Sequence, residues 1–178
     1  MKIKKIKFIG TFIPILFLFI FLALFLSACN KKQLEPLSYF CSKFCFSNQG
    51  TLTEGNLNIE KDGSIKLEIT APSQIKGLTF LKSNNETTVS FKGLNLTSCD
   101  KIFPESSCVS FVFDILNGIK SKNNYNLISS DDSFSLFAGK CNNLEFELKV
   151  ENKTGFIKEI KLPKQNFILN LSEHKNKT

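Results

Sequence analysis

Hydrophobic and polar residues alternate along much of the chain, the pattern of strands that bury one face. The clearest example is residues 144–151, where apolar side chains alternate with three glutamates and a lysine. Residues 65–70 repeat the pattern, and the Asp62-Gly63 dipeptide before them predicts a hairpin with a strand over residues 52–59. Gly55 interrupts that partner strand and indicates a bulge or a bend.

Turn residues separate the other predicted strands. Pro72 and Pro163 each end a strand, and Asn84-Asn85 joins two strands into a second hairpin. The remaining strands are predicted over residues 39–46, 78–82, 87–91, 125–129, 134–138, 156–162 and 167–171.

Between the two groups of strands, the spacing changes to that of a helix. Val109, Val112, Phe113, Leu116 and Ile119 recur at helical spacing, and two further residues, Phe111 and Ile115, widen the apolar face. Ser106 or Ser107 is expected to cap the start of this helix, and Asn117-Gly118 its end. The β-branched content leaves a strand open as the alternative.

These elements predict a mainly β protein of the α+β class. An antiparallel meander and a strongly apolar helix must each bury an apolar face. We therefore expect a curved sheet, or half-barrel, wrapped over one or two helices. The predicted single domain covers residues 39–171, and residues 172–178 form a polar tail.

The first 28 residues have the pattern of a secretion signal. Four lysines precede an unbroken apolar run over residues 12–26, and the run closes on Leu26-Ser27-Ala28-Cys29. This arrangement resembles the lipobox of bacterial lipoproteins, which implies that residues 1–28 are removed and that Cys29 is acylated. The alternative is an uncleaved membrane anchor, for which fifteen apolar residues are short at about 22 Å. Residues 29–38 are then the lipidated terminus and a polar tether.

Charge argues against a nucleic-acid partner. The chain has 23 basic and 16 acidic residues, but four lysines leave with the signal peptide, so the mature chain carries only +3. No basic stripe stands out, and binding to nucleic acid is not expected.

Five cysteines remain besides Cys29. Cys99 and Cys108 bracket a short loop and are the best candidates for a disulfide outside the cytoplasm. Cys41 and Cys45 share a predicted strand, which would hold them about 13 Å apart, beyond the 7 Å or so that a disulfide spans. No metal site is expected, since no CxxC pair occurs and the one histidine, His174, lies in the predicted tail.

Two segments carry a resemblance to known proteins. Residues 63–80 (GSIKLEITAPSQIKGLTF) and 89–94 (VSFKGL) resemble small Firmicutes lipoproteins and, more distantly, Lol-type lipoprotein-localisation carriers. That resemblance implies an antiparallel half-barrel over helices with a concave face that holds acyl chains. It identifies no functional residue.

Binding is therefore the expected function, at the outer face of the cell membrane. The partners expected are the membrane, through the N-terminal lipid, together with a hydrophobic ligand or an envelope protein. The alternative is a structural lipoprotein whose phenylalanines fill the core. No catalytic residue or cofactor is predicted, because a nucleophile motif is missing and Asp131-Asp132 has the pattern of a turn. Hydrolysis, or thiol redox work by Cys41 and Cys45, is the weaker hypothesis.

Overall fold

The computed structural model describes residues 35–48, 51–84, 86–98, 103, 107–120 and 124–175. The predicted signal peptide, the predicted lipidation site Cys29, and Cys99 lie outside these residues. The described elements, in chain order, are β1 (Phe40–Asn48), β2 (Thr51–Ile59), β3 (Ile65–Ala71), β4 (Thr79–Ser83), β5 (Glu86–Phe91), β6 (Leu94–Ser98), α1 (Cys108–Lys120), β7 (Tyr125–Ser130), β8 (Phe134–Cys141), β9 (Leu144–Glu151), β10 (Ile157–Leu162) and β11 (Phe167–Lys175).

All eleven strands form one antiparallel sheet in the order β6-β5-β4-β3-β2-β1-β11-β10-β9-β8-β7. Two meanders, β1–β6 and β7–β11, are joined where the first strand pairs with the last. The sheet is open and curved, and α1 lies against its concave face. The predicted curved sheet over a helix is therefore confirmed, with one helix in the described part of the chain.

Apolar and polar residues alternate along the strands, which gives the sheet one buried face and one solvent-exposed face. On β9, Phe146, Leu148 and Val150 are buried while Glu145 and Lys149 are exposed, as the sequence predicts. Direct pairing continues the buried row from Leu148 into the neighbouring strands through Phe137, Ile160 and Leu169. Each such fully buried side chain contributes about 1.5–3 kcal/mol relative to exposure, so this row is a main source of stability.

The helix is buried on most of its circumference. Ser107 caps it, because its Oγ accepts a hydrogen bond from the Ser110 N–H at 3.1 Å. Six apolar residues are buried, including the consecutive Phe111, Val112 and Phe113. The alternative of a strand over this segment is wrong.

The expected end of the helix at Asn117-Gly118 is also wrong, since α1 continues to Lys120. Gly118 is buried inside the helix, where a Cβ atom would lie 3.0 Å from the Cys141 Sγ of β8. The glycine thus suits the close packing between helix and sheet, and it does not form a left-handed turn.

Two glycines allow the sheet to curve. The predicted irregularity at Gly55 is confirmed as a register shift between Glu54 and Gly55 on β2. The Phe44 ring lies over Gly55, and the Phe146 ring lies over Gly139 on β8, where a Cβ would meet each ring. A cross-strand aromatic ring over a glycine keeps a bent sheet packed at that point.

The domain extends beyond the predicted limits at both ends. Pro36 is buried and the Leu37 N–H donates to the Gly155 carbonyl at 2.9 Å, so the last part of the predicted tether belongs to the body. At the other end, β11 continues to Lys175 and takes in four residues of the predicted polar tail. The sequence prediction also missed β6, which follows the Lys92-Gly93 turn.

Candidate apolar binding surface

One row of paired residues crosses half of the sheet and becomes exposed along the way. Leu57 on β2 is opposite Leu67, and the pairing continues through Phe80 and Val89 to Leu96 on β6. Directly paired residues point to the same face, so all five lie on the concave side. Leu57 is 1% exposed, but Leu96 is 59% exposed. The concave face is therefore closed at β2 and open at β6.

We call the open part the apolar wing, defined as Val89, Phe91, Leu94 and Leu96. Phe91 is opposite Leu94, which is 77% exposed, and both lie two residues along from the Val89–Leu96 pair on the same face. Val89 and Phe91 are half-buried. The wing is thus a contiguous set of apolar side chains on two adjacent strands.

The Lys92-Gly93 turn positions the wing. Both central residues have positive φ, 48° and 82°, which is the geometry of a two-residue hairpin turn whose twist matches the flanking strands. The Lys92 Nζ folds back to 4.9 Å from the centre of the Phe91 ring. The turn fixes the register that places Leu94 beside Phe91.

A positive charge lies beside the wing on the same face. Lys82 on β4 is paired with the buried Ile65 on one side and with the buried Thr87 on the other. The Lys82 side chain therefore shares the concave face and is half-buried. Lys82 is level with Thr87, which is two residues from Val89 and four residues from Phe91 along β5. Four residues of a strand span about 13 Å, so this is the distance along the strands from Lys82 to the Phe91 position.

Phe103 marks the inner border of the wing. Its ring contacts the Phe80 ring edge to face, with 5.4 Å between centroids and 74° between planes. Because Phe80 is 7% exposed, the row is already covered at β4 and opens only beyond it.

The other half of the concave face is filled by side chains. Helix α1 covers it through contacts such as the Phe111 ring against Phe167 of β11, with centroids 6.1 Å apart, and the Cys141 Sγ, which donates to the Asp114 carbonyl at 3.2 Å. Phe137, Leu148 and Leu169 beneath it are at most 2% exposed. We call β7–β11 with α1 the closed half.

A hydrogen bond links the C-terminal end of α1 to the β2–β3 turn. The Lys120 Nζ donates to the Gly63 carbonyl in the β2–β3 turn and to the Asn117 Oδ1. Burial lowers the pKa of Lys120, and nearby Asp62 partly offsets that effect. The pKa of Asp62 is lowered because its carboxylate accepts the Ser64 N–H, with Lys120 adding to the effect.

Two cavities that described residues line lie outside this apolar surface. One of about 530 Å³ is lined by β7–β9 residues including Asn126, Lys140 and Glu147. The other, about 300 Å³, is lined on β1–β3 by residues including Lys43 and Lys66. Both linings are rich in polar side chains.

Asp131 has a role in the β7–β8 turn. Its Oδ1 accepts the N–H groups of Ser133 and Phe134, each at 2.7 Å, and these bonds lower the pKa of the carboxyl. This is the turn chemistry that the sequence predicts for Asp131-Asp132.

The described cysteines are dispersed. Cys41 and Cys45 both lie on β1, as predicted, and the Cys41 Sγ donates to the Asn58 Oδ1 at 3.0 Å. Cys108 begins α1, and burial raises the pKa of its thiol and of Cys141. The Cys99–Cys108 disulfide stays a prediction because Cys99 is outside the described residues.

His174 is part of the folded body and not of a tail. Its ring stacks on Phe156 with centroids 4.5 Å apart and meets the edge of Phe40. Both ring nitrogens are buried without a hydrogen-bond partner in the described structure. Burial, with repulsion from Lys158, lowers the pKa of His174 to about 4, while Glu151 acts in the opposite direction.

Neither a metal-ligand cluster nor a membrane-crossing helix occurs among the described residues. None of their His, Cys, Asp and Glu side chains come together in groups of three or more that would suit a metal ion. No helix among them has the length and apolar character needed to cross a membrane.

Comparisons with known proteins give similarities of fold. No family model matches the chain, and no curated protein matches its sequence. A LolA-superfamily protein from Nitrosomonas europaea matches with a TM-score of 0.43 and 11% identity, over 82% of this chain and 89% of the other. The MucA/MucB complex of Pseudomonas aeruginosa matches with a TM-score of 0.43 and 14% identity, over 77% of this chain and 51% of the other. At these values the similarity does not extend to ligands or partners.

Proposed function

We propose that this chain is a lipid-anchored, extracytoplasmic binding protein that holds an acyl chain on the apolar wing and acts without catalysis. The observation that supports this function is the exposure of Leu94 and Leu96 on the concave face, next to a covered core. Exposed apolar side chains that form one patch, instead of being scattered singly, are typical of binding surfaces.

The chemistry of the wing favours a long apolar tail with an anionic head. The four wing residues offer only hydrocarbon and aromatic surface, so they favour a ligand that loses its own hydration there. Lys82, about 13 Å along the same face from the Phe91–Leu94 row, offers an ammonium group to a carboxylate. A fatty acid lying along the strands would meet both features.

The predicted location supports the same function. The lipobox at Cys29 would place the body at a membrane surface, and only six residues separate Cys29 from the buried Pro36. A body held this close to lipid is well placed to exchange acyl chains with it.

The ligand test uses the lipid-free chain of residues 30–178, since residues 34–178 form one compact unit. Titration with a fluorescent fatty acid should show saturable uptake. Leu96→Lys, which places a charge in the wing, should weaken uptake by about tenfold or more. Ile128→Lys is the matched control because Ile128 is 56% exposed on the other edge strand, and it should bind like the parent.

Lys82→Met tests the head group separately. It should weaken binding of the free acid and leave binding of the corresponding methyl ester unchanged, because the ester has no charge to pair. Equal affinity of parent and Leu96→Lys for the fatty acid would contradict the ligand proposal.

The anchor is tested in cells. Cys29→Ser should abolish incorporation of radiolabelled palmitate and release the protein from the membrane fraction. Unchanged labelling in that variant would contradict the proposed anchor without affecting the ligand test.

The second candidate function is protein interaction with no small ligand. The filled closed half favours it, because side chains already occupy most of the concave face. In that case no fatty acid binds, and the wing is a surface for another protein.

A further inference from the structure

The two edges of the sheet are protected to different degrees. Edge strands usually carry charges, proline or a bulge that prevents pairing with another chain. β7 has a register shift between Leu127 and Ser129, but β6 pairs with β5 in unbroken register. The sequence of β6, Leu-Asn-Leu-Thr-Ser, contains no charged residue and no proline. β6 is thus the unprotected edge.

The hairpin turn determines which backbone groups of β6 point outward. In a two-residue hairpin the residues flanking the turn, Phe91 and Leu94, form the hydrogen-bonded pair, and bonding alternates from there. Leu94, Leu96 and Ser98 therefore bond to β5. The N–H and C=O groups of Asn95 and Thr97 point the other way, where no described strand lies.

The outward-pointing backbone groups of one β6 strand can pair with the same groups of a second β6 strand. If two β6 strands meet antiparallel with Leu96 opposite Leu96 of the second copy, Asn95 is opposite Thr97 at both ends. Each such pair exchanges two backbone hydrogen bonds. No charge opposes a like charge, and the exposed Leu96 side chains cover each other on the concave face.

Pairing of β6 with β7 of another copy fits less well. The bulge in β7 disrupts the ladder, and a head-to-tail contact would continue as an open series of copies. The isologous β6–β6 contact closes as a dimer.

We infer that β6 is a dimerisation edge, with a second copy of this chain as its partner and the two-fold axis at Leu96. The dimer places two apolar wings side by side in one continuous sheet. This inference rests on the proposed function in one respect: a five-residue strand gives only weak association in solution, and the proposed anchoring on one membrane would raise the effective concentration.

Thr97→Pro tests the inference through the backbone alone. Proline removes the outward N–H of Thr97, is tolerated on an outward position of an edge strand, and leaves the bonds of Leu96 to β5 intact. Thr97→Val is the matched control because it keeps the N–H and also loses the hydroxyl that bonds to the Thr88 hydroxyl at 2.9 Å.

Sedimentation equilibrium of the chain of residues 30–178, from about 1 µM to about 1 mM, measures the weak association expected for a contact of this size. The parent and Thr97→Val should dimerise, and Thr97→Pro should dimerise at least about tenfold more weakly. A parent that stays monomeric throughout, or equal dimerisation of Thr97→Pro and Thr97→Val, overturns the inference.

A charge exchange tests the position of the axis and covers the case in which Thr97→Pro does not fold. Leu96→Glu and Leu96→Lys should each be monomeric alone, and a mixture of the two should form a mixed dimer because the opposite charges face each other. A mixture that stays monomeric overturns the proposed register.

Fatty-acid uptake separates this inference from the proposed function. Thr97 has its side chain on the convex face, so Thr97→Pro should keep its affinity for the fluorescent fatty acid. Uptake without dimers overturns only the dimer, and dimers without uptake overturn only the ligand.

Discussion

The closed half and the apolar wing use the same strand pattern with opposite results. Leu148 on β9 and Leu96 on β6 both alternate with polar neighbours and both point to the concave face. Leu148 is fully buried under α1, while Leu96 is 59% exposed. Alternation thus decides which face a side chain takes, and the position of α1 decides whether that face is covered.

The largest difference should appear when the two leucines are truncated. Leu148→Ala removes a buried side chain and leaves a cavity, so we expect a loss of about 2–5 kcal/mol in the free energy of unfolding. Leu96→Ala should change it by less than about 0.5 kcal/mol, as exposed positions do. Urea unfolding of both variants measures the difference, and equal losses would contradict the division into a closed half and a wing.

The curvature that lets the sheet enclose the helix should depend on Gly55. A Cβ at this position would meet the Phe44 ring and the Glu68 carbonyl, so Gly55→Ala should cost about 1–3 kcal/mol. Thr51→Ala, at an exposed position on the same strand, is the control and should cost little. An unchanged urea midpoint for Gly55→Ala would show that the ring moves aside without cost.

The start of the helix should make a smaller contribution. Ser107→Ala removes the acceptor for the Ser110 N–H and should cost about 1 kcal/mol. Ser110→Ala keeps the cap and serves as the control. If both variants unfold at the same urea concentration, the cap does not help to hold α1 on the closed half.

A pH dependence of stability should arise from His174 on β11, which packs against Phe156 and against Phe40 of β1. The pKa of His174 is about 4 in the folded chain and near 6.5 when unfolded. Between these values the unfolded chain binds a proton that the folded chain does not, so stability falls as the pH falls from 6.5 to 4. His174→Phe should flatten this part of the stability profile, measured by urea unfolding at pH 7, 5.5 and 4.5. A profile identical to that of the parent would exclude His174 as its source.

Local patterns predicted most of the fold. The alternation in β9, the Asp62-Gly63 hairpin and the helical spacing from Val109 to Ile119 each depend on neighbours close in sequence, and all were confirmed. The pairing of β1 with β11 was not predictable in this way, because it joins the two ends of the domain.

The candidate site was harder to predict than the fold. The signal for β6 was present in the Lys92-Gly93 turn followed by alternating Leu94 and Leu96, but the strand is short and borders the cysteine-containing segment. The exposure of β6 could not be inferred, because a sequence shows which residues share a face of the sheet. It does not show which part of that face the helix covers. Gly118 was misassigned for the same reason: its partner Cys141 is on a distant strand.

The pairing of the first strand with the last has a consequence for how the molecule is made. The Ser42 hydroxyl donates to the Ser172 carbonyl at 2.7 Å, across 130 residues of chain. A ribosome must therefore release nearly the whole polypeptide before β1 gains its second neighbour, and contacts this distant in sequence form slowly. The late arrival of β11 would leave one edge of β1 unpaired until the end of synthesis, after the β1–β6 meander has been made.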